Sequence, residues 1–145
     1  MVNRVGQEIN TMMHATGTFE VTLTPQPTTE IEQEKVGRLL LEKTFHGDLD
    51  GSSVGYMLSI GTETPGSAGY VAMESVQGTL QGRTGSFALQ HTGTMNRGTP
   101  QLSVTVVPDS GTDQLVGLVG TLTIDRSEGK HTYVFSYDLT PNTAD

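Results

Sequence analysis

The fold of this chain is decided by residues 69–95, GYVAMESVQGTLQGRTGSFALQHTGTM, which are typical of one long β-hairpin. We place its turn at Arg83-Thr84, between Gly82 and Gly85, because glycines favour a tight reversal. Residues that oppose each other in antiparallel strands point to the same side of a sheet. The resulting register predicts one mainly apolar face, formed by Tyr70, Ala72, Glu74, Val76, Leu80, Phe87, Leu89, His91 and Met95.

The other face of this hairpin is polar, and a register slip of one residue would mix the two faces. Glu74 and His91 nevertheless lie on the apolar face, where an unpaired charge costs several kcal/mol. We therefore expect a hydrogen-bonded cluster around Glu74, or shifted pKa values. Plainer interpretations stay open, with Glu74 as a structural carboxylate and His91 as a core histidine whose hydrogen bonds are satisfied.

Turn residues elsewhere set the register of the neighbouring strands. Asp50-Gly51 is a strong type I′ signal, and a hairpin folded there has an inner face formed by Leu41, Lys43, Phe45, Val54, Tyr56, Leu58 and Ile60. A reversal over residues 125–130 turns further apolar and aromatic residues inward, among them Leu118, Leu122, Tyr133 and Tyr137. The predicted interior thus gains the hydroxyls of all four tyrosines and the amine of Lys43, although a lysine can also snorkel from the rim.

About eight strand-like runs follow one another, mostly with short turns between them, over residues 14–24, 36–48, 53–61, 69–80, 85–95, 101–107, 115–124 and 130–139. This pattern predicts an all-β fold, an eight-stranded antiparallel β-barrel, with a two-sheet sandwich as the alternative. Helical periodicity is weak, and only residues 28–37 suit a short turn of helix. We expect a loose leader over residues 1–13, a single barrel domain over residues 14–140 and a tail over residues 141–145.

The composition narrows the classes of function. The 145 residues include no cysteine, which excludes disulfides, thiol catalysis and thiolate metal sites. The net charge of -8 argues against nucleic acids and anionic membranes as partners. No apolar run is long enough for a signal peptide or a membrane span, and the four histidines lack the close spacing of metal ligands. We therefore expect a cytoplasmic protein that needs no metal or other cofactor.

Several phrases resemble the bacterial DUF3224 family, namely GTFEV (17–21), FHGDLDG (45–51), ESVQGTLQGRTGSFALQHTG (74–93), VVPDSGTDQLVGLVG (106–120) and YVFSYDL (133–139). The resemblance extends over nearly the whole predicted domain. That family is similar in fold to allene oxide cyclase and dirigent proteins, so the resemblance implies an eight-stranded antiparallel barrel of the allene oxide cyclase type. It implies no function, and no catalytic motif of those barrels maps onto this chain.

The predicted interior is typical of a ligand pocket, because it is mostly apolar with a few converging polar groups. We expect it to bind a small hydrophobic molecule through Lys43, Tyr56, Tyr70, Tyr133 and Tyr137. One alternative is a cofactor-free isomerase or cyclase, with Glu74 as general acid/base and His91 or a tyrosine stabilising the developing charge. Another is a filled barrel that acts as a protein–protein interaction module. Val71 and Met73 point outward and are candidates for a homo-oligomer contact.

Overall fold

The computed structural model describes residues 12–27 and 35–140, and they form a closed barrel of eight antiparallel strands, which confirms the predicted fold class. The strands follow sequence order around the barrel: β1 (Met13–Pro25), β2 (Gly37–Gly47), β3 (Leu49–Gly61), β4 (Ala68–Leu80), β5 (Arg83–Asn96), β6 (Thr99–Val106), β7 (Leu118–Asp125) and β8 (His131–Leu139). Pairing of β1 with β8 closes the ring. The predicted tail, nearly all of the leader and most of the possible helical turn lie outside the described residues.

The β4–β5 hairpin turns at Gln81-Gly82, whose φ angles of 46° and 89° suit a type I′ turn. The predicted turn at Arg83-Thr84 is therefore wrong by two residues. A shift of this size changes which residues are paired, but it leaves every side chain on its predicted face because the side-chain period of a strand is two residues. On the predicted inner face, Met95 is exposed, and the other residues are buried or half-buried.

The β2–β3 hairpin departs further from the prediction. It reverses at Gly47-Asp48, where Gly47 has a φ of 104°, and not at Asp50-Gly51. The pairing differs by an odd number of residues, so the two faces of β3 are exchanged. The predicted inward orientation is consequently wrong for the apolar residues of this strand, which are 43–53% exposed: Val54, Tyr56, Leu58 and Ile60.

Close approach of β3 to β4 explains this exchange. A side chain at Gly51 would collide with the carbonyl oxygen of Gln77, and one at Gly55 would collide with that of Met73. Glycine inside a strand often marks such an approach between backbones. The middle of the inner face of β3 therefore carries small residues, with Ser53 between the two glycines. Val54, Tyr56, Leu58 and Ile60 lie outside.

The interior is packed at the end of the barrel where the β2–β3 and β4–β5 turns lie. Aromatic side chains fill this half, chiefly Phe45, Phe87, Tyr133, Phe135 and Tyr137. A short 3₁₀ helix, Asp113–Leu115, follows β6 and adds the buried side chain of Leu115 to this core. The opposite half, towards the β1–β2, β3–β4, β5–β6 and β7–β8 connections, is open.

Candidate functional site

The open half of the barrel contains a cavity of about 940 Å³. Its wall is mainly apolar and includes inward-facing side chains from several strands, among them Val21, Leu23, Leu41, Met57, Leu102 and Ile124. The titratable side chains are few: Lys43 and His91 at the floor, Tyr70 on the wall, and Arg126 and His131 at the mouth. Ser59, Thr94 and Gln101 add uncharged polar groups. Lys43 and His91 are only 6% and 3% exposed, so the floor is nearly sealed from bulk water.

A buried carboxylate lies behind the floor of this cavity. Glu74 is 2% exposed and accepts hydrogen bonds from three side chains. Its Oε1 accepts from Lys43 Nζ at 2.9 Å and from His91 Nε2 at 2.6 Å. Its Oε2 accepts from Ser53 Oγ at 2.6 Å. The predicted hydrogen-bonded cluster around Glu74 is therefore confirmed, and Ser53 belongs to it as well.

The small residues of β3 allow this cluster to form. Lys43 on β2 pairs with Ser53, and Glu74 on β4 pairs with Gly55, so the lysine must cross β3 to reach the carboxylate. Because Ser53 has a small side chain and Gly55 has none, no bulky group lies between Lys43 and Glu74. The ammonium group of Lys43 also lies 4.8 Å from the centre of the Phe19 ring, close enough for a cation–π interaction.

Glu74 is held in its ionised form. Burial alone raises the pKa of this carboxyl, but the hydrogen bond from His91, the charge of Lys43 and the hydrogen bond from Ser53 together lower it to about 2. The negative charge is therefore present at neutral pH, and the positive charge of Lys43 balances it. A group with this pKa is a poor proton donor or acceptor near neutral pH, which disfavours Glu74 as the general acid/base.

The orientation of His91 follows from the same contacts. Because the ionised Glu74 accepts a hydrogen bond from Nε2 of His91, we assign the ring proton to Nε2. In the neutral imidazole, Nδ1 is then a hydrogen-bond acceptor. The Tyr70 hydroxyl lies 3.5 Å from Nδ1. Burial, and then the charge of Glu74, raise the pKa of Tyr70, so this hydroxyl keeps its proton at neutral pH.

The structure separates the predicted site residues into four places, with Glu74 behind the cavity floor as described above. Lys43, Tyr70 and His91 meet at the cavity, as expected from their shared face. Tyr56 points to the outside and is 52% exposed, so its predicted place in the pocket is wrong for the register reason given above.

Tyr133 and Tyr137 face inward, but they lie in the packed half and not at the cavity. The Tyr133 hydroxyl donates to the carbonyl oxygen of His46 at 3.0 Å and accepts from the backbone N–H of Leu49 at 2.9 Å. The Tyr137 hydroxyl donates to the side-chain oxygen of Gln81. Both hydroxyls therefore hold turns of the packed end in place.

Ser53, Arg126 and His131 are polar residues of this region that were not predicted from the sequence. A β2–β3 turn placed at Gly47 would have put Ser53 on the inner face. The glycine at position 47 was the sequence signal for that turn. Arg126 and His131 flank the β7–β8 connection, and an alternation counted onward from the inward-facing Ile124 would have brought Arg126 inward.

Two negative findings concern the described residues. Over residues 12–27 and 35–140, no group of three or more His, Asp or Glu side chains is arranged to hold a metal ion. Within the same ranges, no helix has the length and hydrophobicity needed to cross a membrane.

Comparisons with known proteins agree with this architecture. Residues 15–137 match the DUF3224 family, described as protein of unknown function. The chain is also similar to a crystal structure of a protein with unknown function from the DUF3224 family of Shewanella oneidensis MR-1. The two sequences are 48% identical, the match covers 90% of this chain and 98% of that chain, and the TM-score is 0.84. No curated protein matches the chain.

Proposed function

The chain belongs to the DUF3224 family, whose function is unknown, and we propose that it binds a small hydrophobic molecule in the open half of its barrel. The observation that carries this proposal is the cavity of about 940 Å³, with its apolar wall and three converging polar side chains, Lys43, Tyr70 and His91. Ligand pockets in proteins commonly combine an apolar wall with a few polar groups that orient the ligand.

The distribution of apolar surface supports this proposal. An eight-stranded barrel either fills its interior with side chains or leaves room for one small ligand. Aromatic residues fill one half, so the filled-barrel alternative describes that half alone. In the other half, Leu23, Met95 and Leu102 are 40–43% exposed although they line a concave surface. Covering such surface contributes about 25 cal/mol per Å².

A pair of matched variants tests the proposal. Ser59 faces the cavity, whereas Ser52 on the same strand is exposed on the outer face. We expect Ser59→Phe to weaken binding of the fluorescent probe N-phenyl-1-naphthylamine by at least about tenfold, which corresponds to about 1.4 kcal/mol. Ser52→Phe should bind as the wild type does. Equal binding by both variants, or no binding by the wild type, would contradict a cavity ligand.

Native mass spectrometry of the freshly purified protein complements the probe. A co-purified small molecule should add a discrete mass to the wild-type chain and to Ser52→Phe. The same mass should be missing from Ser59→Phe. Retention of that mass by Ser59→Phe would place the molecule elsewhere on the protein.

A second candidate function is cofactor-free isomerisation of the bound molecule, and the Glu74–His91 hydrogen bond favours it. We propose that Nδ1 of His91 exchanges the proton, while Glu74 positions the ring and Lys43 donates a hydrogen bond to a substrate oxygen. Incubation of the co-purified molecule with the protein in D₂O tests this. Wild type should introduce deuterium and His91→Gln should not, with probe binding retained. No deuterium with wild type would reject isomerisation.

We also propose that the chain self-associates through the outside of the barrel. Six exposed apolar side chains adjoin one another on β3 and β4, and together they form what we term the apolar outer face: Val54, Tyr56, Leu58, Ile60, Val71 and Met73. A contiguous apolar patch of this kind is typical of an interaction surface. A second copy of the chain is the proposed occupant.

A further inference from the structure

The cavity has the opposite charge to the rest of the chain. The sequence contains 16 Asp and Glu but only 8 Lys and Arg, for a net charge of -8. Among the described residues, however, the charged side chains that line the cavity are Lys43 and Arg126, and no Asp or Glu lines it. Glu74 lies behind Lys43 as its ion-pair partner. A concave site of one charge sign attracts ligands of the other sign.

Arg126 is placed to act at the mouth. The last pair in the β7–β8 register is Asp125 with Thr132, and Arg126 and His131 are the next two residues towards the connection. Both line the cavity, and the His131 ring is packed 5.0 Å from the ring of Phe19. Within residues 12–27 and 35–140, Arg126 forms no salt bridge, so its guanidinium is available to a ligand.

The floor of the cavity is unfavourable for a negatively charged group of a ligand. Lys43 is already paired with Glu74 at 2.9 Å, so this ion pair has no net charge. A second carboxylate beside Lys43 would also face Glu74, and like charges in a shared buried site repel each other strongly. Among the described residues, Lys43 Nζ makes no hydrogen bond besides the one to Glu74, so it can still donate to an uncharged oxygen.

We propose that the ligand is an amphipathic carboxylate, bound with its apolar body in the cavity and its charged group at the mouth beside Arg126. This inference rests on the proposed function, since it specifies the ligand of the same cavity. A guanidinium binds a carboxylate through two parallel hydrogen bonds, which gives the contact a defined geometry. The mouth is open to water, so the charged group is not fully desolvated there.

Two fluorescent probes with the same apolar body test the proposal. They are 1-pyrenebutyrate, which is an anion at neutral pH, and its uncharged methyl ester. We expect the wild type to bind the acid about threefold more tightly than the ester at low salt, as a partly exposed ion pair allows. About 0.5 M NaCl should reduce this preference by screening. The net charge of -8 repels the anionic probe, so nonspecific attraction to the protein cannot produce the preference for the acid.

A matched pair of variants locates the charged group. Arg126→Gln should abolish the preference for the acid, because it removes the positive charge at the mouth. Lys130→Gln removes the same charge from the same connection, away from the cavity, and should retain the preference. Loss of the preference in both variants would overturn the assignment to Arg126.

The remaining outcomes separate this inference from the proposed function. If the ester binds as tightly as the acid and Ser59→Phe weakens both, the cavity binds ligands but the carboxylate proposal is wrong. If neither probe binds, or if Ser59→Phe affects neither, the proposed function fails and the carboxylate proposal fails with it.

Discussion

At the scale of single residues, Glu74 shows how a charge can be kept inside an apolar barrel. Burial opposes ionisation, yet Lys43, His91 and Ser53 each donate a hydrogen bond, and the net pKa is lowered to about 2. Removing one partner of such a buried pair usually costs about 3–5 kcal/mol, since the other charge is left without compensation. The cluster is therefore a unit, and its members should be sensitive to one another's replacement.

Stability should depend on the protonation of Glu74. Its pKa falls from the ordinary 4.5 to about 2 on folding, so ionised Glu74 contributes stability above pH 4.5. This contribution, on the order of 3 kcal/mol, is lost as the pH falls towards about 2. Urea denaturation between neutral pH and about pH 3 should show a steeper loss for wild type than for Glu74→Gln.

Glu42→Gln is the matched control for this prediction. Glu42 is exposed on the outer side of β2, and its replacement should leave the acid sensitivity of the wild type unchanged. We also expect Glu74→Gln to be less stable than Glu42→Gln by about 3 kcal/mol at neutral pH. Equal acid sensitivity of Glu74→Gln and wild type would show that Glu74 is not the titrating group.

The sequence alone was sufficient to bring Lys43, Glu74 and His91 together, because each lies on the apolar side of an alternating strand. It was not sufficient for Ser53, since a serine carries no signal for burial until the register of its strand is known. The low pKa of Glu74 could not be predicted from the sequence either, because it depends on how many hydrogen-bond donors surround the carboxylate.

At the scale of the elements, the two hairpins show which register errors matter. The β4–β5 turn was misplaced by two residues, and all inner residues kept their face. The predicted β2–β3 pairing differs from the observed one by an odd number of residues, so Tyr56 lies on the outside and not in the pocket. Glycine was the source of both errors. Gly85 and Gly51 read as turn residues, but a side chain at either would collide with backbone, so they serve close packing.

The close approach of β3 to β4 predicts a sharp difference between two glycines. Gly55→Ala would press a methyl group against the Met73 carbonyl oxygen, whereas a methyl group at Gly61 meets nothing within 4 Å. We expect Gly55→Ala to lower the free energy of unfolding by about 2 kcal/mol, as overpacking commonly does. Gly61→Ala should be neutral within about 0.5 kcal/mol. Urea denaturation monitored by circular dichroism measures both, and equal stability would contradict the register.

At the scale of the whole molecule, the barrel has two different halves and one unusual exterior. The packed half provides most of the buried aromatic surface, and the open half provides the cavity. The barrel class was predictable from strand number and turn spacing. The division into halves was not, because it depends on how side chains from strands distant in sequence fill the same space.

The apolar outer face predicts self-association. Wild type should show a mass above that of the 15.5 kDa monomer in light scattering, and the mass should rise with concentration. Met73→Glu places a charge within this face and should shift the protein to monomer. Gln77→Glu adds the same charge on an exposed position of the same strand and should leave the mass unchanged. A wild type that stays monomeric at all concentrations would reject the proposed contact.

Closure of the ring also has a consequence for the order of folding. Seven of the eight strand pairings join neighbours in sequence, whereas β1 and β8 come from opposite ends of the chain. Loop-closure entropy opposes contacts between distant segments, and proteins rich in such contacts fold slowly. We expect hairpins to form early and the meeting of Phe19 with His131, at the β1–β8 seam, to limit the folding rate. The last contact to form would then adjoin the mouth of the cavity, so that the cavity is completed only as folding finishes.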